Sequence, residues 1–191
     1  MKIKTLLTVL SITLSVSSCI NKTEEKKEET NSTTVIQPHF KKEDFINHIQ
    51  SLKDKMRSSE RLDSATAAAA IKAYADFAFN FADDSSAADC LFKAAEIASA
   101  IGRYQQAIIY YQTIQSKYPD FKLAAESLYL QGYIYDNFVD NEVLAKEIYE
   151  KVIVRYPKHK LAEDAKYAVQ NLGKSDEELI QEFKKKNKIK H

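Results

Sequence analysis

One pattern of aromatic and alanine residues occurs three times in the chain. In each copy an aromatic residue is followed directly by Pro or Ala, by Ala six positions on, and by a second aromatic residue eleven positions on. The copies begin at Phe81, Tyr118 and Tyr156, which are 37 and 38 residues apart. Repetition at this period is typical of chains that stack copies of one supersecondary unit. The pattern therefore predicts a repeat array, and the usual function of such an array is to present a binding surface.

The composition favours helices throughout this array. The chain has 191 residues, of which 45% are hydrophobic, and only 3 are Gly and 3 are Pro. Average usage is about 7% Gly and 5% Pro, so the chain is poor in the residues that form the turns of strand-rich folds. The 28 Lys and Arg residues nearly balance the 27 Asp and Glu residues. Because no net field would attract a polyanion, nucleic acid is not expected as a partner.

Residues 1–18 have the pattern of a signal peptide. Lys2 and Lys4 precede an uncharged, mostly apolar run over residues 5–16, and Ser17 and Ser18 supply small residues at a cleavage site. The run is shorter than the ~20 residues that a membrane-spanning helix needs. The segment therefore predicts secretion.

The end of this segment resembles a lipoprotein signal. Val16, Ser17, Ser18 and Cys19 are similar to the lipobox of bacterial lipoproteins. The resemblance implies that Cys19 becomes the first residue of the mature chain and carries the lipid that holds the protein on a membrane. Ile20 stands where Asp can retain such lipoproteins at the inner membrane. The resemblance therefore implies the outer membrane, with the periplasmic face preferred to the cell surface; an ordinary secreted protein with an incidental Cys19 is the alternative.

Two polar segments flank the region that is expected to fold. Residues 19–41 carry Glu and Lys and then an uncharged polar stretch, with no apolar face to bury, so they are expected to form a disordered tether. Residues 188–191 form a basic tail that follows Lys184, Lys185 and Lys186. The tail is expected to be solvated, and contact with anionic lipid or an acidic partner is the alternative.

Between these segments, residues 42–187 have the periodicity of amphipathic helices. Asp63 or Ser64 is expected to cap the second helix, and Gly102 marks a turn. Ser175 and Glu178 have the spacing of a capping box. The helices are expected at residues 43–58, 64–81, 86–101, 104–117, 122–137, 141–155, 161–172 and 176–186, with the last two forming a final pair.

Two stretches of this helical region resemble tetratricopeptide repeats. Small residues stand where the two helices of a hairpin cross, and large apolar residues stand where neighbouring hairpins meet. The residues that carry the resemblance are Leu91, Ala95, Ala107, Tyr111 and Pro119 in the first copy, and Leu128, Gly132, Tyr135, Ala145, Tyr149 and Pro157 in the second. The resemblance implies an all-α fold, a tetratricopeptide-like helical-hairpin solenoid of about three repeats plus flanking helices.

The joins between hairpins resemble two types of bacterial envelope protein over residues 65–172. Runs such as Tyr118, Pro119 and Asp120 followed by Ala124 and Ala125 are similar to the repeats of the YbgF (CpoB) protein of the Tol-Pal system and of the BamD-type lipoprotein of outer-membrane β-barrel assembly. The resemblance implies a non-catalytic adaptor that binds another envelope protein. It leaves open a Tol-Pal role, with TolA as partner, and a barrel-assembly role. A structural subunit that acts through its convex face is the alternative.

The first helix of each hairpin in such arrays lines a concave groove, and the groove positions recur at helical spacing. Here they form an aromatic and acidic stripe, which suits an extended or helical partner segment with apolar and basic side chains. The predicted groove residues are Phe92, Glu96, Ser99, Tyr129, Tyr133, Asp136, Tyr167 and Asn171. The alternative is that the aromatic members pack between repeats.

No set of residues in the sequence has the pattern of an active site. The four His residues, His39, His48, His159 and His191, form no metal-ligand pair at i, i+4 spacing and no triad. Cys90 lies in an apolar helical stretch and is expected to be a buried, inert thiol. The chain is therefore not expected to be an enzyme or to hold a cofactor or metal; a ligand-binding lipoprotein or enzyme is the distant alternative.

Overall fold

The computed structural model describes residues 41–58 and 63–188. The predicted signal peptide (residues 1–18), the predicted lipidation site Cys19 and all but the last residue of the predicted tether (residues 19–41) lie outside the described residues. Residues 189–191 of the predicted basic tail also lie outside them, and Lys188 is the last residue of a helix. None of the described helices combines the length and the apolar character that a membrane crossing requires.

The described residues form α-helices joined by short turns, with no strand among them. The helices are α1 (Lys42–Ser58), α2 (Ser64–Asn80), α3 (Ala87–Ala100), α4 (Tyr104–Lys117), α5 (Ala124–Asn137), α6 (Glu142–Arg155), α7 (Leu161–Asn171) and α8 (Asp176–Lys188). Every helix end lies within two residues of its predicted position. The predicted all-α class is confirmed.

Three helices, α2, α6 and α8, begin at a side chain that caps the first turn. The Asp63 carboxylate accepts hydrogen bonds from backbone N–H groups in the first turn of α2, and the Asn141 side-chain oxygen accepts one in the first turn of α6. At α8 the Ser175 hydroxyl accepts from the Glu178 N–H at 3.3 Å, and the Glu178 carboxylate accepts from the Ser175 N–H at 2.9 Å. The predicted capping box is therefore confirmed, and each cap satisfies backbone donors that a helix leaves unpaired.

Consecutive helices pack side by side from α1 to α7, so the hairpins stack into a solenoid. Small residues allow the two helices of a central hairpin to approach closely: Ala95 and Ala107 are fully buried in α3 and α4, and Ala145 is fully buried in α6. In α5 a Cβ atom on Gly132 would lie 2.9 Å from the ring of Tyr149. The predicted crossing positions are confirmed, because a larger residue at any of them would push the helices apart.

The first aromatic residue of the repeated pattern ties each hairpin to the structure before it. The Tyr118 hydroxyl donates to the carbonyl oxygen of Ala82 at 2.9 Å, and the Tyr156 hydroxyl donates to Gln115 Oε1 at 3.4 Å. Phe81 has no hydroxyl and packs its ring edge against Phe45 of α1 with ring centroids 5.5 Å apart. The pattern therefore marks the joins between hairpins.

The predicted final pair of helices is not a closely packed hairpin, which corrects the sequence interpretation. Among the described helices, α8 packs extensively against none, and its Ile180 and Phe183 side chains are 51% and 67% exposed. Only three of its 13 residues are apolar, so α8 offers too little apolar area to hold it against α7. Its link to the preceding turn is an ion pair between Lys174 and Glu182 at 2.9 Å.

Candidate binding groove

A cavity of about 360 Å³ lies between α3 and α5. Its walls come from the first helices of the two central hairpins and from one side chain of α4 beneath them. The lining residues are Glu96, Ser99 and Ala100 of α3, Tyr111 of α4, and Leu130, Tyr133, Ile134 and Phe138 at α5 and its end. The cavity therefore brings together three residues that the sequence placed in the groove: Glu96, Ser99 and Tyr133.

Tyr133 and Phe138 line this cavity and Tyr104 stacks on Phe138, and we call these three residues the aromatic rim. Tyr133 and Phe138 are 41% and 48% exposed. Tyr104 stacks on Phe138 with ring centroids 4.4 Å apart and planes 12° apart, and Tyr133 meets Phe138 edge to face at 5.9 Å. Exposed aromatic side chains beside a cavity supply large contact area at a low cost in conformational entropy. Helical spacing did not predict Tyr104 and Phe138 as groove residues, because Tyr104 begins α4, Phe138 follows the end of α5, and the two rings meet only through the packing of these helices.

Two polar groups of α3 complete the cavity. Glu96 is half-buried, and its carboxylate accepts a hydrogen bond from Lys93 Nζ at 2.6 Å. The Ser99 hydroxyl oxygen is buried and has no hydrogen-bond partner among the described residues. Buried polar atoms in folded proteins are nearly always hydrogen-bonded. The cavity therefore offers an unsatisfied hydroxyl beside an apolar wall.

Phe92 does not line the groove, which corrects its predicted role. Its side chain is 6% exposed and belongs to the main core. The ring centroid lies 5.7 Å from that of Tyr111 and 6.2 Å from that of Phe121. Phe92 lies one helical turn before Glu96, where α3 faces the second helix of its own hairpin and the turn before α5. Phe92 therefore packs in the core, which is the alternative given above for the aromatic residues of the stripe.

Tyr129 is only partly available to a partner. Its ring lies 5.4 Å from the ring of the buried Tyr149, and it packs against the core cluster of the second central hairpin. Burial raises the pKa of the Tyr129 hydroxyl, and Asp164 adds a smaller effect in the same direction. Tyr129 therefore packs mainly against the second central hairpin and does not line the cavity between α3 and α5.

Asp136 is a half-buried carboxylate on the same face of α5. The Tyr149 hydroxyl donates a hydrogen bond to it at 3.3 Å. Burial raises the pKa of Asp136, and this hydrogen bond opposes the shift. No cationic side chain of residues 41–58 and 63–188 is paired with it. An incoming basic group would therefore find an uncompensated negative charge beside the aromatic rim.

Tyr167 and Asn171 lie apart from this cavity. Tyr167 is 65% exposed on α7, and the Asn171 side chain donates to the Tyr167 carbonyl oxygen at 2.7 Å. Both residues border a smaller depression of about 160 Å³ next to Leu179 and Phe183 of α8. The structure thus divides the predicted stripe into a cavity at α3 and α5 and a separate surface at α7 and α8.

The remaining candidate chemistry has structural explanations. No group of three or more His, Cys, Asp and Glu side chains in the described part of the chain is placed to hold a metal ion. Burial raises the pKa of the Cys90 thiol to about 11, with smaller contributions from Asp89 and Asp84. Because the thiolate is the nucleophile, this buried thiol is unreactive near neutral pH.

Comparison with known protein families agrees with the hairpin boundaries. The tetratricopeptide repeat family model matches residues 89–120 and 126–159, which are the α3–α4 and α5–α6 hairpins with the turns that follow them. No curated protein matches the chain. Tetratricopeptide folds are typically non-catalytic scaffolds on which other proteins bind. The two central hairpins, which supply the walls of the cavity, therefore match tetratricopeptide repeats.

Proposed function

We propose that this protein is an adaptor of the bacterial envelope that binds a segment of another protein in the groove between α3 and α5. The observation that carries the proposal is the 360 Å³ cavity, which joins exposed aromatic rings to an unsatisfied hydroxyl. A preformed cavity with an apolar wall and a few convergent polar groups is the usual form of a binding site.

The chemistry of the groove defines the partner segment. An apolar side chain fills the cavity and contacts Tyr133 and Phe138, while a hydrogen-bonding group reaches the Ser99 hydroxyl. A basic side chain pairs with Asp136, which has no cation among the described residues. Such a central anchor in a desolvated pocket supplies most of the binding free energy in typical interfaces.

The location follows from the N-terminal sequence. The motif that ends at Cys19 supports lipid attachment at the outer membrane, on its periplasmic face. The predicted tether of about 20 residues would span roughly 25 Å, so the repeats would work close to the membrane surface. The resemblance to YbgF-type and BamD-type repeats supports a partner from the Tol-Pal system or from the barrel-assembly machine.

Affinity capture from crosslinked envelopes, with the full lipidated chain as bait, tests the groove. Tyr133→Ala is expected to reduce partner recovery at least about tenfold, as loss of an aromatic anchor does, while the far-UV helical signal is unchanged. Ile109→Ala is the matched control, since Ile109 is 57% exposed on α4 and does not line the cavity. Equal recovery with both variants would exclude the groove as the binding surface.

Membrane fractionation tests the anchor separately. Cys19→Ser is expected to leave the membrane fraction after an alkaline wash, whereas the unchanged chain stays. Retention of Cys19→Ser would contradict lipid attachment and would leave the groove proposal intact.

A structural role through the convex face is the second candidate. Its support is a set of exposed apolar side chains on the second helices of the hairpins: Phe79 of α2, Ile109 of α4, and Val143 and Val154 of α6. These residues are separate from one another in sequence, and single exposed apolar residues are common on protein surfaces. If Ile109→Ala abolished capture and Tyr133→Ala did not, the convex face would replace the groove.

A further inference from the structure

Helix α8 has an apolar face that the described part of the chain does not cover. Ile180 and Phe183 lie three positions apart, on one side of the helix, and both are more than half exposed. The neighbouring Leu179 is half-buried against the depression at α7. Residues at i, i+3 and i+4 form one contact surface of a helix. This face is therefore shaped to meet another helix.

The charges of α8 are divided between its two halves. Acidic residues occupy the first half, including Glu177 and Glu178, and basic residues occupy the end, including Lys184 and Lys185. Glu177 and Lys184 are seven residues apart, which places both beside the apolar face, roughly 10 Å apart along the axis. No ion pair within the described residues involves Glu177 or Lys184. Both charges are exposed and remain available to a partner.

Two copies of α8 have complementary apolar and charged residues when the helices pair in antiparallel orientation. If two α8 helices pair antiparallel about their midpoint, Ile180 of each lies opposite Phe183 of the other. Glu177 of each then lies on the same side of the helix pair as Lys184 of the other, offset by about 3 Å along the axis, on both sides of the two-fold axis. A parallel pairing would instead place Glu177 against Glu177 and Lys184 against Lys184, which is repulsive.

We propose that α8 is a self-association site, at which a second copy of this chain docks its own α8 antiparallel. The interface is isologous, since the same face contributes from both copies. One 13-residue helix buries a small area, so the dimer belongs to the weak, reversible class. The site is distinct from the α3–α5 cavity, so dimerisation and partner capture can fail independently.

Sedimentation velocity of the full chain in mild detergent, over a series of protein concentrations, tests the proposal. The unchanged chain is expected to show a reversible monomer–dimer equilibrium. Glu177→Lys and Lys184→Glu are each expected to weaken dimerisation about tenfold, because each change turns two symmetry-related attractions into repulsions. Mixing the two variants, or combining them in one chain, is expected to restore the dimer.

Glu147→Lys on α6 is the matched control, because it makes the same charge change at another exposed helical position. Phe183→Ser is expected to abolish dimerisation. Three outcomes would each overturn the proposal. The chain could stay monomeric at every concentration, Glu177→Lys could dimerise as well as Glu147→Lys, or the charge-swapped double variant could fail to recover dimerisation. Micelle sharing affects all variants alike, so it cannot produce the expected pattern.

Discussion

The central hairpins and the C-terminal helix α8 have equally clear helix signals but different packing. The centre buries Tyr111 and Tyr149 almost completely between small residues on neighbouring helices. In α8 the capping box is complete, yet Phe183 remains 67% exposed. Local chemistry is thus sufficient to start and end a helix, whereas burial requires a neighbour with a matching apolar face.

The largest expected contrast comes from removing one aromatic ring in each region. Tyr111→Ala should cost about 3–5 kcal/mol of unfolding free energy, as do other large-to-small changes at buried aromatic positions. Phe183→Ala should change it by less than about 0.5 kcal/mol in the monomer, because the ring is exposed. Urea unfolding of both variants at low protein concentration measures the difference. Similar losses would show that α8 is part of the core.

A second contrast lies within the centre, at the crossing of α5 and α6. Gly132→Ala places a Cβ atom against the buried Tyr149 ring, which costs about 1–3 kcal/mol. The gain in helix propensity offsets about 1 kcal/mol of this. Thermal unfolding should therefore show net destabilisation. Ala95→Gly in α3 is the matched change; it should cost about 1 kcal/mol in helix propensity and about 0.8 kcal/mol more for the buried methyl group that is lost. A stabilised Gly132→Ala variant would mean that the ring can move aside.

Removing the cap of α6 should lower the stability of the whole fold, whereas removing the cap of α8 should affect that helix alone. Asn141→Ala removes the acceptor at the start of α6, which is packed on both sides, so unfolding free energy should fall by about 1 kcal/mol. Ser175→Ala removes half of the capping box of α8. Its effect should be faster hydrogen exchange confined to α8, with global unfolding unchanged, because little else packs on that helix. A fall in global stability with Ser175→Ala would contradict this view.

The smallest expected effect concerns Asp136. Burial raises its folded-state pKa, so the folded state binds a proton more readily than the unfolded chain. Stability therefore falls as pH rises from the unfolded pKa through the higher folded pKa, and the cost persists above it. Asp136→Asn keeps an acceptor for Tyr149 and should melt slightly higher than the unchanged chain at pH 7, with no difference at pH 3. The exposed Asp54→Asn is the control, and equal behaviour of the two would exclude a buried charge.

Repetition in the sequence was enough to predict most of the fold. The aromatic pattern located the joins, and the small residues Ala95 and Gly132 located the crossings, because both signals are set by contacts between successive hairpins. The groove was predicted less completely. Glu96, Ser99 and Tyr133 follow from helical spacing, but Phe92 was placed wrongly, since a single turn of helix separates a groove position from a core position.

The sequence by itself determined where the helices begin and end, which positions are small, and that the chain is a stack of hairpins, because these features depend on neighbouring residues and on a repeated contact. The tertiary structure decided that Tyr104 and Phe138 stack beside the cavity, that Ser99 lacks a partner among the described residues, and that α8 packs only weakly on α7. These outcomes depend on packing between residues that are far apart in the sequence. The free energy of such packing comes from many residues together, and no local sequence pattern relates them to one another.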